Sequence, residues 1–114
     1  MKNADAVASL AALAQDSRLD VFRLLVQAGP DGLPAGEVAT KLKLAPNTLT
    51  FHFDRLRDAG LVTVRRDGRS MIYAARFETM NELLGYLTEN CCEGAGSCAS
   101  AVCRLAAKGK KAAA

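Results

Sequence analysis

The sequence predicts a mainly α-helical chain with one small β-hairpin, in the order α-α-α-α-β-β-α. Three observations carry that reading: apolar residues recur at helical spacing in several stretches before Gly60, an Asp67-Gly68 pair separates two β-rich runs, and one more striped helix follows. At 114 residues the chain is long enough for one compact core and too short for two independent ones. Its 50% hydrophobic and 24% charged residues exclude a disordered chain as the main reading.

The first helix is expected over 5–14, where Val7, Leu10, Ala11 and Ala14 form one apolar stripe. Ser17-Arg-Leu-Asp20 resembles a capping box and places a second helix start near Ser17, ahead of Leu19, Phe22, Leu25 and Val26. Gly29, Pro30 and Gly32 end it. Pro34 is suited to the first position of a third helix, with Val38, Ala39 and Leu42 inward, and Ala45-Pro46 stops that helix. A fourth helix is expected over 47–58, with Leu49, Phe53 and Leu56 inward and Gly60 as its stop. The runs 61–65 and 70–74 flank Arg66-Asp67-Gly68-Arg69 and make the hairpin. A fifth helix is expected over 78–90, with Met80, Leu83, Leu84 and Leu87 on one face.

Two short helices joined by a tight turn, then a hairpin and another helix, is the plan of a winged helix-turn-helix domain. A recognition helix enters the major groove by its N-terminal residues, so the fourth helix takes that role. With its apolar positions inward, Asn47, Thr48, Thr50, Phe51 and Arg55 face out. Asn47 and Thr50 can hydrogen-bond phosphates or base edges, and Phe51 can meet a thymine methyl. His52 reads either as a half-buried helix residue with a local hydrogen bond or as a phosphate contact. Arg65, Arg66 and Arg69 cluster at the hairpin tip, where taken alone they read as a solvated turn. Joined to the upstream helix-turn-helix, they read as contacts to phosphate or to a narrow minor groove of double-stranded DNA. The net charge of +3 is compatible with such a partner without indicating it.

The segments Leu13-Ala-Gln-Asp-Ser-Arg-Leu19, Leu49-Thr-Phe-His-Phe53, Arg57-Asp-Ala-Gly-Leu-Val62 and Arg66-Asp-Gly-Arg-Ser-Met-Ile-Tyr73 together resemble the ArsR-type (ArsR/SmtB) metalloregulators, bacterial winged-helix repressors of resistance operons. The resemblance covers about 10–90. It implies a homodimer built from the first and last helices, which assigns Leu10, Met80, Leu83, Leu84 and Leu87 to the interface. The last-helix stripe also suits packing onto its own domain, and one helix can do both.

All four cysteines lie between Cys91 and Cys103, a spacing that staples no core and reads as ligands or redox sensors in a reducing compartment. Zinc favours four tetrahedral ligands with Cys-x-x-Cys pairs or histidines; no such pair exists and His52 is the only histidine. Trivalent arsenic takes three thiolates in a pyramid, and soft thiolates suit it. Cys91, Cys92 and Cys98 are the candidate ligands. Adjacent helical residues project roughly 100° apart, so Cys91 and Cys92 converge only if the helix ends there. Gly94 and Gly96 allow the return that brings Cys98 back. The prototype arsenic repressors of the family carry their cysteines in the region matching 37–43, where this chain has none. It resembles instead the arsenic-responsive subgroup with a vicinal Cys-Cys and a third cysteine past the last helix. The family's zinc branch uses Asp and His on the last helix, where Glu78, Glu82 and Glu89 have no histidine partner. Cys103 reads as a spare thiol, a fourth ligand for a larger ion, or an oxidation partner.

The domain reading is therefore 1–90 for DNA binding and dimerisation, 91–104 for metalloid capture, and 105–114 as a basic tail. The expected function is an operator-binding repressor released by As(III), with Sb(III) and methylarsenite as further trivalent candidates and no organic cofactor. Redox switching by disulfide formation is the rival trigger. A thiol enzyme such as an arsenate reductase is disfavoured, because Glu89 and Glu93 flank the cysteine pair rather than activating cations. Asp5 and the charges from Asp16 onward argue against a signal peptide, and no apolar run approaches the roughly 20 residues of a membrane span. Both expectations point to the cytoplasm.

Overall fold

The computed structural model describes residues 1–91, and its element order is the expected one with a short strand added. Helix α1 (Asn3–Leu13) buries Ala6, Ser9 and Ala12. That is a different face from the predicted stripe: Val7 and Leu10 stand 56% and 43% exposed. Small residues, not the larger apolar ones, let α1 lie close against the domain. Helix α2 (Asp16–Ala28) begins before Ser17, because the Gln15 side chain accepts from the Arg18 backbone N–H at 2.8 Å. A glutamine thus does the capping that the Ser17-to-Asp20 pattern suggested.

Strand β1 (Leu33–Pro34) was not expected; Pro34 pairs with Ile72 instead of opening a helix. Its missing N–H is tolerated because β1 is an edge strand. Gly32, at φ +73, makes the approach possible: a Cβ there would stand 2.3 Å from the Tyr73 carbonyl oxygen. Helix α3 (Ala35–Leu42) ends at Lys43, which takes the left-handed conformation at φ 55. That residue, not Ala45-Pro46, is the stop; Pro46 is the first residue of α4 (Pro46–Asp58).

Strands β2 (Val62–Asp67) and β3 (Ser70–Ala75) form the wing. Asp67 pairs with Ser70, so the turn consists of Gly68 and Arg69, one position later than the Asp-Gly reading implied. Glycine at positive φ first in a two-residue loop suits a type II′ turn. Helix α5 (Phe77–Leu87) is shorter at its C-terminus than predicted, ending where the Thr88 hydroxyl donates to the Leu84 carbonyl at 2.7 Å.

The core gathers Val21, Phe22 and Leu25 of α2, Val38 of α3, Leu49, Phe53 and Leu56 of α4, and Leu61 and Val62 at the start of the wing. Phe53 stacks on Tyr73 of β3, ring centroids 3.6 Å apart and 3° from parallel. The recognition-helix candidate is thereby fixed directly to the wing. On the wing's other side the Arg65 guanidinium donates to the Asp31 carbonyl at 2.8 Å, holding β2 to the loop before β1.

Two glycine substitutions check this account by urea denaturation. Gly32→Ala is expected to cost about 2–4 kcal/mol through backbone collision and a strained φ. Gly36→Ala, in α3 with open space around its Cβ, is expected to be neutral or to stabilise by up to about 1 kcal/mol.

Candidate nucleic-acid interface

Helix α4 divides as its periodicity requires. Leu49, Phe53 and Leu56 are 2%, 1% and 0% exposed, while Asn47, Thr48, Thr50, Phe51 and Arg55 all face solvent. Thr50 donates its hydroxyl back to the Pro46 carbonyl at 3.0 Å, a bond that orients the side chain within the first turn. The Arg55 guanidinium lies 4.9 Å from the Phe51 ring centroid, a cation–π contact that holds both side chains in one arrangement on the surface. Arg66 and Arg69 are exposed on the wing; Arg65 is exposed too, but one of its donors is engaged by Asp31.

Of the two readings of His52, the buried helix residue holds, without its local hydrogen bond, and the phosphate contact is corrected. His52 is 6% exposed and turned inward, so it offers nothing to a phosphate. Burial depresses its pKa, and the Arg18 charge on α2 depresses it further, so the ring is neutral at ordinary pH. Among the described residues, its Nδ1 and the Nε of Arg18 are both buried without a hydrogen-bond partner. Sequence reasoning missed this pairing of α2 with α4, since nothing in the spacing of Arg18 and His52 places them together.

The expected dimer residues also separate. Leu83 is 6% exposed and belongs to its own domain's interior, and Met80 packs partly buried against the core. Leu10, Leu84 and Leu87 are exposed, and Val7 joins them. The Tyr86 hydroxyl donates to Asn3 Oδ1 at 3.0 Å, tying α5 to the start of α1.

Beyond α5, Asn90 takes a left-handed φ of 58 and the Cys91 N–H donates to the Thr88 carbonyl at 3.0 Å. Cys91 therefore sits past the end of the helix, half-buried in a tight turn. Cys92, Cys98 and Cys103, and with them nearly all of the 91–104 and 105–114 segments, lie outside the described residues. Among the described residues no three His, Cys, Asp or Glu side chains are grouped to hold a metal, and no helix is long and apolar enough to cross a membrane.

An exposed polar helix face held rigidly beside a basic hairpin defines a winged helix-turn-helix regulator. A helix-turn-helix domain family model matches residues 13–65. The HTH-type transcriptional regulator YceK of Bacillus subtilis (strain 168) is 38% identical over 77 residues, covering 67% of this chain and 76% of YceK. YgaV of Escherichia coli (strain K12) is 30% identical over 87 residues, covering 76% of this chain and 86% of YgaV. An ArsR-like transcriptional regulator from Rhodococcus sp. RHA1 superposes with a TM-score of 0.69 at 26% identity, covering 96% of this chain and 93% of its own. HlyU from Vibrio cholerae N16961 does so at 0.62 and 28%, covering 81% and 99%. The chain belongs to the helix-turn-helix transcriptional regulators, in their ArsR-like winged-helix form.

His52 sets a pH dependence. It takes up its proton less readily folded than unfolded, so the stability linked to it is whole above the ordinary imidazole value of 6.5 and is lost as pH falls below it. Chemical denaturation from about pH 7.5 to about pH 5 should show that loss in the parent chain and a flatter profile in His52→Gln.

Proposed function

We propose that the chain is a homodimeric repressor that binds operator DNA through α4 and the wing and releases it when Cys91, Cys92 and Cys98 capture trivalent arsenic. The exposed row Asn47, Thr48, Thr50, Phe51 and Arg55 on a helix whose opposite face is locked in the core is the observation that carries the DNA reading. Asn47, Thr48 and Thr50 stand at the N-terminal end that enters the major groove, and Arg66 and Arg69 supply backbone contacts beside it. Arg65 serves chiefly to set the wing's angle through Asp31.

The exposed Val7, Leu10, Leu84 and Leu87 support dimerisation through α1 and α5, since apolar side chains grouped on adjoining helices gain from a matching surface. A Mycobacterium bovis protein of the same fold is described as a homodimeric winged helix-turn-helix domain. Such a dimer presents two recognition helices to a near-palindromic operator.

The donor set fits the effector: three thiolates are what trivalent arsenic takes, and the turn at Asn90 places Cys91 outside the α-helix α5. Because that turn follows α5 directly, ion capture acts on the element that joins the protomers. Ion and operator then weaken each other's binding reciprocally. Near-complete switching needs roughly 5.5 kcal/mol of differential affinity, within reach of three sulfur bonds.

Two measurements test this reading. In gel shifts over a salt series, Arg66→Ala and Arg69→Ala should each weaken binding evenly across sequences and lower the salt slope by about one, whereas Asn47→Ala should relax sequence preference. Arsenite should release the parent chain and Cys103→Ser from DNA, but not Cys91→Ser, Cys92→Ser or Cys98→Ser. Release by peroxide with none by arsenite would replace the metalloid trigger with disulfide formation. Equal arsenite response in all four variants would remove the site assignment.

A further inference from the structure

Between α1, α2 and α4 lies a cleft of about 450 Å³, lined by Ala8, Ala11, Ala12, Arg18, Phe51 and Arg55. That volume is within the range of small-molecule sites, roughly 300–1,000 Å³. The cleft exists because α1 presents alanines where longer side chains would fill it. Its chemistry is mixed. Methyl groups and the Phe51 ring share the lining with two guanidiniums, and Asp58 is the one acid among them. Arg18 and Arg55 against Asp58 leave one positive charge unmatched.

Two further observations point to an occupant. Arg18 and Arg55 both line the cleft, and among the described residues neither is in an ion pair, so an oxyanion would supply the partner these permanent cations lack. The Arg55 guanidinium is already held against the Phe51 ring, so the aromatic face and the charge are arranged in advance. A phosphodiester suits this cleft poorly, because the alanines offer it no hydrogen-bond donors. A carbon skeleton suits them.

We propose that this cleft binds a small planar organic monoanion, its carboxylate on Arg18 and its flat apolar body between Phe51 and the α1 alanines. Phe51 and Arg55 also belong to the exposed face of α4. Occupancy therefore couples to operator binding, a coupling that rests on the proposed role of α4 in reading DNA.

The test uses the full chain without DNA, followed by amide-resolved NMR titration, with benzoate as the probe and benzamide as its neutral counterpart. Benzoate should bind saturably, with shifts centred on residues 8–12, 18 and 51–59. Benzamide should bind at least about tenfold more weakly, as loss of a charge-assisted bond requires. Arg18→Met should weaken benzoate by a similar factor. Ala11→Met fills the cleft from an exposed helix position, so it should abolish binding while leaving the thermal midpoint unchanged. Absence of saturation, equal binding of benzamide, or undiminished binding by both variants overturns the site. Benzoate binding that leaves operator affinity unaltered in a gel shift overturns the coupling alone. Loss of DNA binding with benzoate binding intact separates failure of the DNA reading from failure of this one.

Discussion

The stacking of Phe53 on Tyr73 is the contact on which the rest of the surface depends. Burying an aromatic side chain contributes about 1.5–3 kcal/mol, and a well-placed ring pair adds about 0.5–1.5 more. More important than the magnitude is what the pair joins: a helix that shows its polar face outward and the central strand of a three-stranded sheet. The pair fixes the spacing of helix and wing within the folded chain itself. Little ordering is then left for binding itself. Gly32 belongs to the same constraint, since β1 reaches Tyr73 only where the chain carries no Cβ.

The two ends of the molecule have different physical character. Around α4 the surface is polar or cationic apart from the Phe51 ring, over a tightly packed interior, while α1 and α5 leave medium-sized apolar side chains in solvent. Polarity of that kind would let one scaffold serve both a charged partner and, in the proposed dimer, a copy of itself without either surface competing for the other. Cys91 lies just past α5, at the apolar end of the molecule.

Legibility in the sequence followed how local the governing physics was. The inward positions of α4 and the hairpin were readable, because a 3.6-residue stripe and a glycine turn are consequences of neighbours in the chain. The phase of α1 was not: its alanines bury because α2 and α4 lie close, and hydrophobicity alone favours Val7 and Leu10. Pro34 and Pro46 were each assigned to the wrong side of a boundary, since proline suits an edge strand, a cap and a first helical turn alike. His52 falls on the same i, i+3, i+4, i+7 stripe as Leu49, Phe53 and Leu56, so its burial was legible, whereas its neighbour Arg18 was not. Of the interface residues, the outward set on α4 was legible from periodicity, whereas the inward placement of Leu83 and the tie from Arg65 to Asp31 required the folded chain.

Strand β1 carries one more consequence. An open sheet normally offers its outer strands as templates on which other chains can polymerise. Here one border is only two residues long and includes a proline, which has no amide hydrogen to donate. The opposite border, β2, carries Arg65 and Arg66 and repels a like copy. The sheet is thus guarded against fibrous self-association, on one side by the very strand that its sequence concealed.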